Sequence, residues 1–448
     1  MSDNAVNDGP DDKTNDGTNN LTNDKTVGKL ITNELIVNGL IVSELDELRQ
    51  ILKSLQYSVI LSEPERFFEY HRHLARNGKM SLGVRFTVQY NLFAGTVMVL
   101  GNDKQKDIIN NKVIGCFCLT EKLAGVNSGL VVHAEANWNP ISETFHLKTR
   151  HDSPKYWISQ GCTAEYGVVF ARVKAFNKDY GIHAFLINMK QYSNSITITD
   201  MGSKTVALGL DNAQISFDCV LPASCLLDKY IKVTKTGVVI DNQYNFYILI
   251  QRLLTGRYAI ATSACEYFEL ILNRIRDEFG TRKVYINNNK YITLNELPTL
   301  KNLLKTCRSQ LESITKFNCQ VEKQMCYCLR NNKQFPTKLV NDILVSKIVS
   351  TELPVRYIPL LRSRLGSQSL MTVNNFGSDM DIFLMCAFAE GSNDLLRQKL
   401  ARDTILASKF HNLSLIIKLK LSRDPIKVWF DNYQQIMDIS DTIIKSKL

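Results

Sequence analysis

Polar residues fill positions 1–28, where Asp, Asn, Thr and Gly leave almost nothing apolar. Such a stretch has too little apolar surface to offset the entropy of ordering, and reads as a disordered tail. From about Lys29 apolar residues return at helical spacing: Ile31, Leu35, Ile36, Leu40, Leu45 and Leu48. They predict helices through about residue 112. The texture then changes. Residues 114–120 are nearly all apolar, residues 145–149, 196–199 and 215–220 alternate, and residues 168–173 and 183–187 are rich in β-formers. Short strands with breaks at Gly, Asn and Asp predict a small antiparallel barrel or sandwich. After Asn242 the spacing is helical again. One long helix is expected over residues 244–272, an irregular Asn-, Tyr- and Lys-rich insertion over 281–294, and further helices over 297–331 and 339–361. The last should kink or break at Pro354.

The fold class expected is therefore α+β. A helical N-terminal domain (29–112) precedes a β-barrel domain (113–234) and a C-terminal helical bundle (235–445). Composition changes this picture little. A chain of 448 residues with 44% hydrophobic content can bury two or three cores. The net charge of +10 is a moderate excess among 22% charged residues. It suits a polyanionic ligand such as coenzyme A or a nucleotide, and does not suggest a nucleic-acid-binding tail. No run of 18 apolar residues is free of charge, so no membrane span is expected. No basic segment followed by an apolar one opens the chain, so no secretory signal is expected either. The eleven cysteines lack metal spacing: Cys116-Phe-Cys118 and Cys326-Tyr-Cys328 have no partner pair. Free thiols in a reducing compartment are expected, and no metal.

Four stretches carry candidate chemistry. An apolar run, residues 382–389, ends at Glu390-Gly391, and helical spacing follows at Leu395, Leu396, Leu400 and Ala401. A carboxylate at the mouth of a helix is either a base or a partner of the helix dipole. Leu119-Thr120-Glu121-Lys-Leu-Ala124-Gly125-Val-Asn127 ends a strand on a hydroxyl and turns on a glycine. An ordinary strand-end turn would read the same. Lys155-Tyr-Trp157-Ile-Ser159-Gln-Gly161 sets one tryptophan in a strand, and a core role is open to it. Arg276-Asp-Glu278-Phe279-Gly280 ends the long helix with a guanidinium, suited to phosphate or simply solvated.

Taken together and in order, these strings resemble the acyl-CoA dehydrogenase and oxidase superfamily. The resemblance runs from about Ser81 to Arg402 and is nearest to the peroxisomal acyl-CoA oxidases. It carries Gln89, Gly95 and Gly101 in the helical entry, and Glu390-Gly-Ser-Asn with Arg397 and Arg402 at the end. It implies that Glu390 removes the proton α to a thioester carbonyl. It implies FAD held by Thr120, Trp157 and Ser159, with Arg276 reaching the pyrophosphate of a flavin bound mainly by the neighbouring subunit of a homodimer. The superfamily's Gly-Gly-x-Gly turn survives here only as Gly366, and Glu278 stands where glutamine is usual. The implied reaction converts fatty acyl-CoA to trans-2-enoyl-CoA, with dioxygen reduced to hydrogen peroxide. Fewer residues follow Glu390 than oxidases usually carry. A dehydrogenase passing electrons to a flavoprotein, or a non-catalytic partner subunit, are the competing readings. The terminal Ser446-Lys447-Leu448 reads as a peroxisomal address, implying an import receptor and the peroxisomal matrix.

Overall fold

The structure, a computed structural model, describes residues 39–124, 131–241, 247–287, 290–407, 415 and 422–448. The polar tail, the first helical repeats at Ile31, Leu35 and Ile36, Gly125, Asn127 and Tyr244 lie outside the described residues.

Helices α1 (Gly39–Ser54), α2 (Val59–Ser62) and α3 (Pro64–Arg76) open the fold. A continuous helical rod follows: α4 (Met80–Phe86), a π-helical stretch over Thr87–Ala94 and α5 (Gly95–Leu100). Every residue of the π-helical stretch is buried. Wide turns of this kind are rare and are concentrated at functional sites. Helix α6 (Asp103–Asn110) starts on a reciprocal cap between Asn102 and Gln105.

The strands are β1 (Gly115–Cys118), β2 (Glu135–Asn139), β3 (Thr144–Lys148), β4 (Lys155–Ser159), β5 (Tyr166–Ala175), β6 (Lys178–Asn188), β7 (Ile196–Asp200) and β8 (Asn212–Pro222). They form one sheet in the order β1-β5-β2-β3-β8-β4, with β6 on β5 and β7 on β8. Pairing is antiparallel except that β1 and β2 run parallel to β5. A small hairpin, β9 (Ile231–Val233) and β10 (Val238–Ile240), closes this region. Strand β5 is buried on both faces. Val168 and Phe170 join the helical core, while Val169 and Ala171 face the sheet's own core with Phe145, Phe185 and Phe217. That is why this stretch reads as an unbroken apolar run.

Helices α7 (Tyr247–Phe279), α8 (Pro298–Arg330) and α9 (Thr337–Leu365) run up, down and up. Tyr258 donates to the Asn318 carbonyl at 2.9 Å, and Cys265 meets Ser350 at 3.3 Å, fixing the three against one another. The 281–294 insertion is a β-hairpin, β11 (Lys283–Asn287) with β12 (Lys290–Thr293), and not irregular chain. Helix α9 does not break at Pro354, because it continues through Pro354 and Pro359. It is buried against α7, α8 and the next helix, and that packing outweighs the missing N–H groups. Helices α10 (Phe376–Phe388), α11 (Asn393–Ala407), α12 (Pro425–Asp431) and α13 (Tyr433–Lys447) complete the fold. Ser446 and Lys447 form the last turn of α13, and Lys447 is paired with Asp342.

Two contacts lock the π-helical stretch to the sheet. Gln89 donates to Tyr57 Oη (2.7 Å) and to the Val113 carbonyl (2.9 Å), and accepts from the Gly115 N–H (2.9 Å). The Phe93 ring lies where a Cβ at Gly115 would be, 2.2 Å from it, so only glycine fits there.

Candidate active site

Glu390 sits in the short link between α10 and α11 with φ +58°, a left-handed backbone that is costly for glutamate. Two cations hold the link there. Arg257 of α7 donates from Nε to the Glu390 carbonyl at 2.8 Å. Lys347 of α9 donates from Nζ to the carbonyls of Ala387 (2.9 Å) and Gly391 (2.6 Å). Neither touches the carboxylate, whose oxygens have no hydrogen bond or ion pair among the described residues. The residue as a whole is half-buried, but its Oε1 reaches down to α7. It lies 2.5 Å from where a Cβ on Gly256 would stand. Glycine at 256 therefore makes the room the carboxylate occupies.

The electrostatics follow from burial. Desolvation pushes the Glu390 carboxyl up to about 7, against the opposing pull of Arg257 and Lys347. The same burial, with Arg257 nearby, pushes the Lys347 amine down to about 7. The carboxylate is thus a stronger base than usual, free of partners and poised near neutrality. The apolar neighbour Phe388 does not supply this effect, since it points outward and is 61% exposed. Asp379, the next acidic candidate upstream, is committed elsewhere. It is fully buried and accepts from Tyr267 Oη (2.6 Å) and from Arg274.

A second set of residues gathers on the sheet. The Tyr156 N–H donates to the Thr120 carbonyl at 2.9 Å, which seats the end of β1 beside β4. The pairing is pinned from within by a fully buried ion pair, Lys155 Nζ to Glu121 Oε1 at 2.9 Å. Glu121 also accepts from the N–H groups of His133 (2.7 Å) and Ala134 (3.0 Å). Burial raises its carboxyl, but Lys155 and these donors outweigh burial and hold it below the usual range. Above this pair Thr120 is exposed, Ser159 is half-buried and accepts from Asn212 at 3.1 Å, and Trp157 stands out of the strand. The tryptophan has φ +57° and is 53% exposed. An indole turned outward by a left-handed backbone is not filling a core; it offers a face for stacking. Thr120, Trp157 and Ser159 thus lie on adjoining stretches, just after β1 and within β4, with Thr120 and Trp157 exposed and Ser159 half-buried.

The other two sequence candidates are elsewhere. Arg276 is in the last turn of α7, exposed and paired with Asp277 at 2.7 Å. Gly366 caps α9 at φ +69° with open space around it. Both stand about 30 Å of helix beyond Gly256 and Lys347, at the other end of the bundle. The side chain of Glu278 lies outside the described residues. Sequence reasoning missed Arg257, Gly256 and Lys347. The signal for Lys347 was a lone cation inside the apolar run of residues 343–349.

No family model matches the chain. The peroxisomal acyl-coenzyme A oxidase 2 of Arabidopsis thaliana is 25% identical over 415 residues, covering 83% of this chain and 58% of that protein. The acyl-coenzyme A oxidase of Kluyveromyces lactis is 24% identical over 423 residues, covering 85% and 56%. The chain therefore spans less than three fifths of the length of these curated relatives. Among solved structures, acyl-CoA oxidase 1 of Yarrowia lipolytica superposes with a TM-score of 0.77 at 18% identity, over 94% of this chain and 74% of that one. Butyryl-CoA dehydrogenase of Megasphaera elsdenii gives 0.64 at 16% identity, over 87% of this chain and 100% of that one.

Proposed function

The chain belongs to the acyl-CoA dehydrogenase and oxidase superfamily, and from that premise we propose that it is an FAD-dependent acyl-CoA oxidase. The observation that carries this reading is the free, desolvated carboxylate of Glu390 over Gly256. An α proton beside a thioester carbonyl is weakly acidic, so its removal needs a strong base held still. Glu390 takes that proton. Arg257 and Lys347 hold the link so that the carboxylate cannot swing into solvent. Thr120, Trp157 and Ser159 receive the ring of FAD. Arg276 and the Gly366 turn serve the cofactor of a second copy in a homodimer. Bound flavin supplies the acceptor for the hydride leaving the β carbon, and dioxygen takes the electrons onward as peroxide. The product is the trans-2-enoyl thioester. Relatives named peroxisomal support placing the protein in the peroxisomal matrix.

The test is an absorption spectrum of the purified protein, then anaerobic bleaching of its flavin by acyl-CoA. Wild type should be yellow and should bleach. Glu390→Gln should keep its flavin and bleach roughly 10²–10⁴ times more slowly. A protein that takes up no FAD on titration would refute the reading. Flavin that bleaches but, once reduced, ignores oxygen would assign a dehydrogenase instead.

A further inference from the structure

Arg252 lies one helical turn before Gly256 on α7 and is 2% exposed. None of its three side-chain nitrogens has a hydrogen-bond partner among the described residues. Its alkyl stem passes Gly95 of α5, 3.2 Å from where a Cβ would stand, so that glycine makes room for it. Beside it, Asn91 of the π-helical stretch donates from Nδ2 to the Arg252 carbonyl at 2.8 Å. The Asn91 Oδ1 is likewise buried and unpartnered. The same Asn91 amide is 3.1 Å from the Gly256 Cβ position that Glu390 Oε1 approaches to 2.5 Å. The unpaired guanidinium, the π-helical stretch and the base therefore belong to one neighbourhood.

A guanidinium does not shed its proton at neutral pH. Burying it without an anion costs several kcal/mol. Burial does push its pKa down, to about 10, which still leaves it charged. A carboxylate brought in by a ligand would remove the penalty by a charge-assisted, bidentate contact. With the α carbon of a thioester at Glu390, that carboxylate would come from further along the acyl group. The offset is about 6 Å of helix rise, plus the reach of the side chain. Resting on the reading of Glu390 as base, we propose that Arg252 receives the far carboxylate of an acyl group. The preferred substrates are then ω-carboxyacyl-CoA thioesters and not plain fatty acyl-CoA of equal length.

The experiment is calorimetric binding to the full chain with its flavin, using glutaryl-, adipoyl- and suberoyl-CoA, each against the monocarboxylyl-CoA of equal carbon count. At least one dicarboxylyl member should bind about 10–100-fold more tightly than its partner. Arg252→Leu should reverse that order, and Arg252→Lys, which keeps the charge, should retain part of it. If the leucine variant fails to fold, the wild-type ratios and the lysine variant decide. Equal or tighter binding of all three monocarboxylyl partners would overturn the role of Arg252 and leave the oxidase reading standing. Absence of binding by all six thioesters would overturn both.

Discussion

Replacing Lys347 by methionine separates two things its amine does. The amine is fully buried, and burial lowers its pKa from the ordinary 10.5 to about 7. At pH 7 the folded protein holds half a proton there and the unfolded chain a whole one. Keeping the amine buried then costs about 4 kcal/mol. Its two bonds to carbonyls return roughly 1–3 kcal/mol each, so methionine, similar in size and apolar, should leave stability at pH 7 little changed or slightly raised. The pH dependence is the sharper reading. Between about pH 7 and 10.5 the unfolded state binds more protons than the folded one, so wild-type stability rises with pH there. From pH 7 to pH 9 the gain from this one group is about 2 kcal/mol, and the methionine variant lacks it. Glu390, raised from 4.5 to about 7 and held down by Lys347, still titrates at the lower edge of this window, so both proteins are compared in a Glu390→Gln background. Urea denaturation at pH 7 and pH 9 measures the difference. Parallel pH dependences for wild type and Lys347→Met would refute the claim that this amine is forced toward neutrality.

Three further outcomes follow from the same geometry. Gly256→Ala should gain less than the roughly 1 kcal/mol of helix propensity, since its Cβ would stand 2.5 Å from Glu390 Oε1. That Cβ would push on the Glu390 carboxyl, so turnover should fall while the melting temperature does not. The acid limb of turnover against pH should turn over near pH 7, with rate lost as pH falls and Glu390 is protonated; a limb at the ordinary 4.5 would contradict its desolvation. Trp157→Ala should lower flavin occupancy without loss of fold, because the indole is half exposed and supports no core; unchanged occupancy, read from the absorption spectrum, would remove it from the cofactor site.

What was legible in the sequence was what folds locally. Alternation at residues 145–149 and 215–220 is a property of single strands, and β3 and β8 formed there. The Thr120 and Trp157 strings fall just after β1 and within β4, where local patterning alone marks short strands. The grip on Glu390 was not readable. Arg257 and Lys347 come from helices 133 and 44 residues away in sequence from the carbonyls they hold. A cation within an apolar helical run gives no sign of which carbonyl it will meet. The 281–294 hairpin was missed because its run of asparagines masked the alternation of Val284, Ile286 and Ile292 around it. At Pro354 the break, one of the two outcomes the local rule allows, yielded to packing on a buried helix.

The left-handed backbone of Glu390 bears on how this protein can be improved. Glutamate at φ +58° gives up roughly 1–2 kcal/mol that glycine would not. A selection for thermal robustness alone would therefore favour glycine at 390, and the winner would fold better and have lost the carboxylate proposed as the base. Any stabilising campaign on this scaffold must score turnover alongside melting, or it will steadily discard the residue around which the site is built.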